Sequence, residues 1–346
     1  MPGKVGASMF RYILKRTVYI IVLFLIITFL MYSLYNLIPS DPARSQVEPM
    51  RASMKPAEYE ALYKQVRLEL GLDDPLPVRY ARWMGFAPDR FGKFNGVLQG
   101  NFGYSNFFKK PVIDVIPEPM KFTVFMNIFV TIFALGITIP LGIRTAVRKD
   151  SPLDRSVQVF SVVGYSIPIH IIALVFIFLF AVILRWFPVM GMKTAGSNYT
   201  GWKAFWDSIK HITLPVIVLT FASLGSMTRY VRASMIDALS MDYVRTARAK
   251  GVKEKVVIYS HAWRNALLPV ITIIISWFLG IFGGSTITES TFSLNGMGRL
   301  NIQALNNKDY ELALAIQLFY VVISLFGRLL IDLSYGLVDP RVRITK

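Results

Sequence analysis

Uncharged, apolar residues recur in six long blocks: Thr17–Ser40, Phe122–Ile143, Ser156–Leu184, His211–Thr228, Asn265–Thr288 and Leu312–Gly327. A helix that crosses a bilayer needs about 20 consecutive apolar residues, and four of the blocks exceed that length. The fourth and sixth are shorter. Each extends past one flanking arginine, Arg229 or Arg328, whose long side chain reaches back to the interface. Within hydrocarbon, backbone N–H and C=O groups must be satisfied inside their own segment, so the pattern predicts six transmembrane helices. Pro140, Pro168, Pro215 and Pro269 are expected as kinks within them.

Between the blocks lie two polar stretches with patterns of their own. From Pro39 to about Met120 the chain is mixed, with twelve basic and ten acidic residues between Asp41 and Lys121. Within it Pro56–Leu70 reads as a helix closed by Gly71, and Pro75–Met84 as a second helix anchored by Tyr80, Trp83 and Met84. About 80 residues suffice for a small core. The stretch is either a spacer packed on the helices or a docking surface for an outside partner. The second polar stretch is Met235–Asn265. Ser240 is expected to cap a short helix, Met241–Lys250, with Asp242 in its first turn and Gly251 closing it. Tyr243, Val244 and Ala247 share one face, with Arg245 and Arg248 beside it. Such a helix lies on the bilayer surface or enters a groove of a partner.

Composition changes the picture in three places. Hydrophobic residues make up 54% of the 346 and charged residues only 17%, below the roughly one quarter usual in soluble chains. The net charge of +17 sits beside the apolar blocks, which assigns it to membrane lipid rather than to nucleic acid. There are no cysteines, which excludes disulfides, thiolate metal sites and a cysteine nucleophile. The first block is too long for a cleaved leader, and Ile38-Pro39-Ser40-Asp41 offers no small-x-small site after it, so it is expected to stay as an anchor.

The basic residues also orient the chain. Lys4, Arg11, Lys15 and Arg16 precede the first block, and Arg144, Arg148, Lys149 and Arg155 join the second to the third. Arg229–Arg264 carries eight basic residues against three acidic ones, and the tail has Arg341, Arg343 and Lys346. Six spans put all four regions on one side, so both termini are expected in the cytoplasm. Arg185, Lys193, Lys203 and Lys210 fall on the other side.

The segment Asp242-Tyr243-Val244-Arg245-Thr246-Ala247-Arg248-Ala249-Lys250-Gly251, followed by His261-Ala262-Trp263-Arg264-Asn265-Ala266-Leu267-Leu268-Pro269, resembles the EAA loop of bacterial ABC-importer permeases. More narrowly it resembles the B-type permease of oligopeptide and dipeptide importers. Thr228-Arg229-Tyr230-Val231-Arg232-Ala233-Ser234-Met235 fits that subfamily, as do Lys308-Asp309-Tyr310 and the ending Asp339-Pro340-Arg341-Val342-Arg343. Phe10 to Arg16, Leu70-Gly71-Leu72-Asp73 and Gly100-Asn101-Phe102-Gly103-Tyr104-Ser105 fit it too, so the resemblance covers nearly the whole chain. Arg245-Thr246-Ala247 stands in place of Glu-Ala-Ala, and Leu268-Pro269 falls five residues later than in the general motif, as in the peptide subfamily. Asn295-Gly296 stands where the family often has Pro-Gly.

The resemblance implies an all-α fold of the type I ABC-importer permease kind, with an extracytoplasmic insertion after helix 1, in a bacterial cytoplasmic membrane. The expected division is 1–38 as N-terminus and first span, 39–120 as the extracytoplasmic domain, 121–338 as a five-helix core with a coupling loop at 236–264, and 339–346 as a cytoplasmic tail. It implies that Tyr243, Arg245, Thr246, Ala247, Arg248 and Gly251 belong to a coupling helix seated on an ATPase, which replaces the bilayer reading. It implies a homologous second permease subunit, two ATP-binding subunits and an extracytoplasmic substrate-binding protein as partners. No G-x-x-x-x-G-K-[ST] phosphate loop occurs, and Gly92-Lys93 lacks its upstream glycine and its hydroxyl residue. ATP and Mg are therefore expected on the partner subunits, and no cofactor on this chain.

Polar groups inside the blocks are the remaining candidates for a pathway. Arg328 and Asp332 are four apart on one helical face, as a structural pair or a pathway element. Glu289 either meets a substrate amine or is solvated at the outer side. His170 and Asn127 each line a pathway or hydrogen-bond to a neighbouring helix. His211 and His261 are too far apart in sequence to point to a metal site. A membrane-embedded enzyme would need convergent carboxylates, a metal cluster or a His/Glu motif, and none is written here. An ion-driven transporter would need ionisable residues at mid-span, and these are almost missing. Within the family the solute is a peptide or, alternatively, a nickel chelate, a peptide antibiotic or an oligosaccharide.

Overall fold

Helix follows helix along nearly all of the chain. The first, α1, covers Pro2–Leu37. Then come α2 (Pro56–Glu69), α3 (Leu76–Met84), α4 (Pro117–Val147) and α5 (Pro152–Ser166). The middle of the chain forms α6 (Ile169–Ile183), α7 (Gly201–Ser240), α8 (Asp242–Ala249) and α9 (Glu254–Gly280). The series closes with α10 (Thr286–Thr291), α11 (Met297–Asn306) and α12 (Tyr310–Val338). This computed structural model describes residues 2–38 and 41–338. Pro39, Ser40 and the terminal Asp339-Pro340-Arg341-Val342-Arg343 motif, with Lys346, lie outside the described residues.

Among the described residues five helices are long and apolar enough to cross a membrane: Ile13–Leu37 of α1, α4 with the turn before it, α7, α9, and Tyr310–Asp332 of α12. The third apolar block differs from the expectation of one kinked helix. It forms two limbs, α5 and α6, bent by 102° at Ile167-Pro168. The ring of Pro168 excludes the residue before it from the helical region, and Ile167 is extended at φ −83°, ψ 126°. Counting the bent pair as one gives six spans. Pro140, Pro215 and Pro269 stay inside continuous helices, as expected. The fifth block also departs from its expected bounds. Its helix starts earlier, at Glu254, and stops at Gly280; Ile281–Ser285 turns and α10 follows.

Contacts divide the chain into two units. The larger contains Glu118–Ile302 and Ile323–Lys346 with the first fourteen residues. Within it α7 is the central element, with α5, α6 and α9 packed along it. More than half of its span is buried, 56%, against 17% for α9. Small residues allow the close approach of α7 to α5: a Cβ at Gly225 would lie 2.6 Å from the Ser161 carbonyl oxygen.

The smaller unit contains Lys15–Pro117 and Gln303–Val322. Its core joins Tyr32 of α1, Tyr80 and Met84 of α3, and Leu314 of α12, with Trp83 packed against them. The Thr28 and Tyr80 hydroxyls share a hydrogen bond of 2.7 Å in this core. Gly71 and Gly85 close α2 and α3 at φ +63° and +88°, the left-handed cap that favours glycine. A two-residue antiparallel ladder, Tyr104–Ser105 with Lys110–Pro111, is tied down by Asp309, which accepts from Ser105 Oγ and from the Phe107 N–H. Asp41 takes Arg67 and Tyr63, and Asp74 takes Arg82 and Arg90.

Candidate functional site

Between the spans α7 and α9 the chain makes one compact excursion, the helix α8. Its sequence is strongly two-sided. Val244 and Ala247, three apart, are buried at 0% and 7% exposure. They enter a core built from Ile143 and Ala146 of α4, Met227, Val231 and Met235 of α7, and Ala262, Ala266 and Val270 of α9. Asp242, Tyr243, Arg245, Thr246, Arg248 and Lys250 stay exposed. Tyr243 was expected on the apolar face with Val244 and Ala247. It sits instead at the rim, lining a cleft of about 470 Å³ with Tyr230, Met241 and Pro269.

The helix stops are only partly those read from the sequence. Gly251 has φ +69°, its N–H meets the Arg248 carbonyl, and the Val252 N–H meets the Ala247 carbonyl. These two bonds are the C-terminal closure in which glycine takes the left-handed conformation. Ser240 does not cap α8. It is the last residue of α7, where its hydroxyl donates to the Asp237 carbonyl, and the cap position belongs to Met241 without a side-chain bond. The helix is correspondingly shorter than Met241–Lys250. Arg248 reaches Glu254 at the start of α9 through Nε (3.2 Å) and Nη2 (2.6 Å). Among the described residues Arg245 pairs only with Asp242, at 3.5 Å. α9 then opens with π-helical turns at Val257–Ala262, against which α8 packs.

A second feature beneath α8 has no counterpart in the sequence reading. Asp154, fully buried at the start of α5, accepts from Arg232 Nε at 2.6 Å and from Nη2 at 2.7 Å. It also accepts from the Asp150 N–H and from Gln158. Arg232 lies on α7, so the pair locks α7 to α5 shortly before α7 delivers the chain to α8. The only sequence signal was the start of α5, where Ser151 accepts from the Asp154 N–H, the pattern of a capped helix.

The polar candidates inside the blocks fall into separate places. Asn127 donates to the carbonyls of Ile281 (3.0 Å) and Gly283 (2.8 Å), closing the end of α9 against α4. Glu289 is not solvated: it is fully buried. Its oxygens accept from Thr123 Oγ1 and from the N–H groups of Ser285 and Arg299. Thr123 also accepts from the Met297 N–H at 2.8 Å. Asn127 and Thr123, both on α4, thus hold residues 281–299 through the Ile281 and Gly283 carbonyls and Glu289. His170 is exposed in the first turn of α6 after the bend, with no hydrogen bond to a neighbouring helix among the described residues. Arg328 is exposed and forms no ion pair with Asp332. The expected pairing at i, i+4 is therefore not made; the helical spacing permits it, but the guanidinium stays outside the packing. His211 is buried on α7, bonded to the Asp207 carbonyl.

Five apolar spans, a sharply bent pair and a short two-sided helix seated on the ends of α4, α7 and α9 define a multi-pass membrane permease. Residues 138–344 match the family described as binding-protein-dependent transport system inner membrane component, and residues 9–127 match its N-terminal companion. The chain belongs to this family. It is 36% identical to the oligopeptide transport system permease protein AppB of Bacillus subtilis, over 96% of this chain and 99% of that one. A putative peptide permease protein of Brucella suis is 36% identical over 97% and 100% of the two chains. The glutathione transport system permease protein GsiC of Salmonella paratyphi A is 33% identical over 97% and 99%. A chain of the methionine ABC transporter MetNI in an inward-facing conformation superposes with a TM-score of 0.49 and 15% identity, covering 64% of this chain and 96% of that one.

Proposed function

We propose that this chain is one of two permease subunits of an ATP-driven peptide importer, and that α8 is the helix through which ATPase subunits drive it. The observation that carries the reading is the seat of α8. Val244 and Ala247 root it in a core shared by three spans, while Arg245, Thr246 and Arg248 face outward. A helix held in this way moves with α4, α7 and α9 when a partner pushes on its outer face. The peptide assignment rests on relatives described as oligopeptide, peptide and glutathione permeases.

The remaining parts follow from that division of labour. A homologous permease subunit completes the pathway, and two partner ATPases bind ATP and Mg. α8 and both termini face the cytoplasm. Residues 39–120 face outward, where a substrate-binding protein docks. The test is the double variant Arg245→Glu/Arg248→Glu in the assembled transporter. It is expected to reach the membrane in normal amounts and to lose stimulation of ATP hydrolysis by substrate and binding protein. Normal stimulation and transport would remove both arginines from the mechanism; reduced insertion instead would return α8 to the lipid surface. Cysteines placed at Lys64 and Arg90 are expected to react with an impermeant thiol reagent in intact cells. Reaction only after permeabilisation would reverse the orientation.

A further inference from the structure

The smaller unit contains a cleft of about 400 Å³ that belongs to none of the features above. Its size is that of a small-molecule site. Four charged side chains line it: Asp41, Arg67, Arg79 and Glu311. Asp41 and Arg67 pair with each other at 3.0 Å, and Arg67 also holds Asp73. Arg79 and Glu311 have no ion-pair partner among the described residues, and they do not pair with one another. Both are only partly exposed.

Each is nevertheless held in place. Arg79 donates through Nη2 to the Asn36 side chain, which in turn donates to the Tyr32 carbonyl. Glu311 accepts the Tyr104 N–H on Oε2, and nothing among the described residues donates to its Oε1. A guanidinium carries five N–H donors, so most of those on Arg79 are unspent. Tyr32 lies within the electrostatic reach of both charges. Aromatic rings form part of the remaining wall. Tyr32 packs on Trp83 with ring centres 5.2 Å apart, and Tyr35 meets Tyr310 edge-on at 6.1 Å.

A positioned cation and a positioned anion lining one cleft with aromatic rings match one kind of ligand. We infer that this cleft binds a small zwitterion of amino-acid to dipeptide size. Its carboxylate meets Arg79, its ammonium meets Glu311, and its side chain lies against Tyr35 and Trp83. A bidentate guanidinium–carboxylate contact is among the stronger recognition elements available to a protein. A ligand carrying only one of the charges leaves the other protein group desolvated and unpaired. The inference does not depend on what the complex transports. A peptide importer lacking this site would still import, and a chain that moved no peptide would still bind the zwitterion.

The test uses the full chain in lipid nanodiscs with no binding protein present. The probes are glycyl-phenylalanine, its N-acetylated form and its C-terminal amide, followed by calorimetric titration. The free dipeptide is expected to bind saturably. Each blocked form is expected to bind roughly tenfold more weakly, the factor for one lost charged hydrogen bond. Arg79→Gln removes the cation and is expected to erase the preference for the acid over the amide. Glu311→Gln retains the bond to Tyr104 and is expected to erase the preference for the free amine. A photoreactive glycyl-azidophenylalanine on the unaltered chain should label residues 32–36 or 79–83. No saturable binding, full discrimination by both variants, or labelling confined to the larger unit would overturn the inference.

Discussion

Arg232 and Arg248 stand on either side of the turn from α7 to α8, and each grips a carboxylate with Nε and Nη2. The Arg232 pair joins residues 78 apart in sequence and is shut away, with side-chain exposures of 16% and 0%. The Arg248 pair spans six residues and is open to solvent, at 45% and 54%. The chemistry is the same; the consequence is opposite. Water and ions screen the open pair, so it is easily given up to a partner. The closed pair has no such alternative, because releasing either member strands a charge among buried groups. One pair belongs to the frame and the other to the exposed face of α8.

Asp154→Asn should separate the two cases most sharply. It leaves the largely enclosed Arg232 without its anion, and a loss of about 3–5 kcal/mol is expected, read as a lowered unfolding temperature in detergent. Removing both charges with Asp154→Leu/Arg232→Met should restore most of it, because uncharged packing avoids the desolvation cost. An Asp154→Asn chain as stable as the parent would end the distinction between frame and surface. Gly251→Val comes next. Its φ of +69° penalises a branched side chain, by about 1–2 kcal/mol. Because no atom lies within 4 Å of a Cβ there, the cost is conformational and not a clash. Circular dichroism should show the helical content almost unchanged, with ATPase coupling impaired. Arg248→Ala should cost under about 1 kcal/mol, with normal unfolding and weakened stimulation of the partner ATPase. A large loss of stability there would make the open pair part of the frame.

Glu289 sharpens the comparison from a third side, as a buried carboxylate held without a cation. Burial pushes its carboxyl above the ordinary value, against bonds from the Arg299 N–H, Thr123 and the Ser285 N–H that lower it. The folded chain therefore holds a proton there that the unfolded chain has released above about pH 4.3. Stability from this group is full below that value and falls as pH rises through the higher folded value. Glu289→Gln should remove that slope and leave stability at low pH unchanged, as checked by melting curves between pH 4 and 8.

What the sequence made legible follows the range of the forces involved. The six apolar blocks, the caps at Gly71 and Gly251, and the exposed arginines of α8 are written in adjacent residues. The break at Pro168 was not, because Pro140, Pro215 and Pro269 carry the same local signal inside unbroken helices. At Pro215 both neighbours, Leu214 and Val216, are buried and hold the helix, but Pro140 and Pro269 are as exposed as Pro168, so exposure alone does not mark the break. The end of α9 was hidden for a related reason. Ile281–Thr288 is uncharged because it packs beside α4, and not because it continues the span. Asp154 and Arg232 read as two ordinary residues in basic loops, since nothing at a distance of 78 residues announces a contact. Ser240 showed the opposite error, a local cap signal spent inside the preceding helix.

The bend between α5 and α6 has a consequence for the surrounding bilayer. Each limb has 15 residues, so at 1.5 Å per residue each reaches only about 22 Å. The hydrocarbon layer is about 30 Å thick. With 102° between them, the limbs cannot add their lengths along one direction. Single limbs of this length leave a mismatch with the acyl chains beside the permease. Its turnover should therefore follow the acyl-chain length of the lipids around it, with thinner bilayers imposing the smaller mismatch.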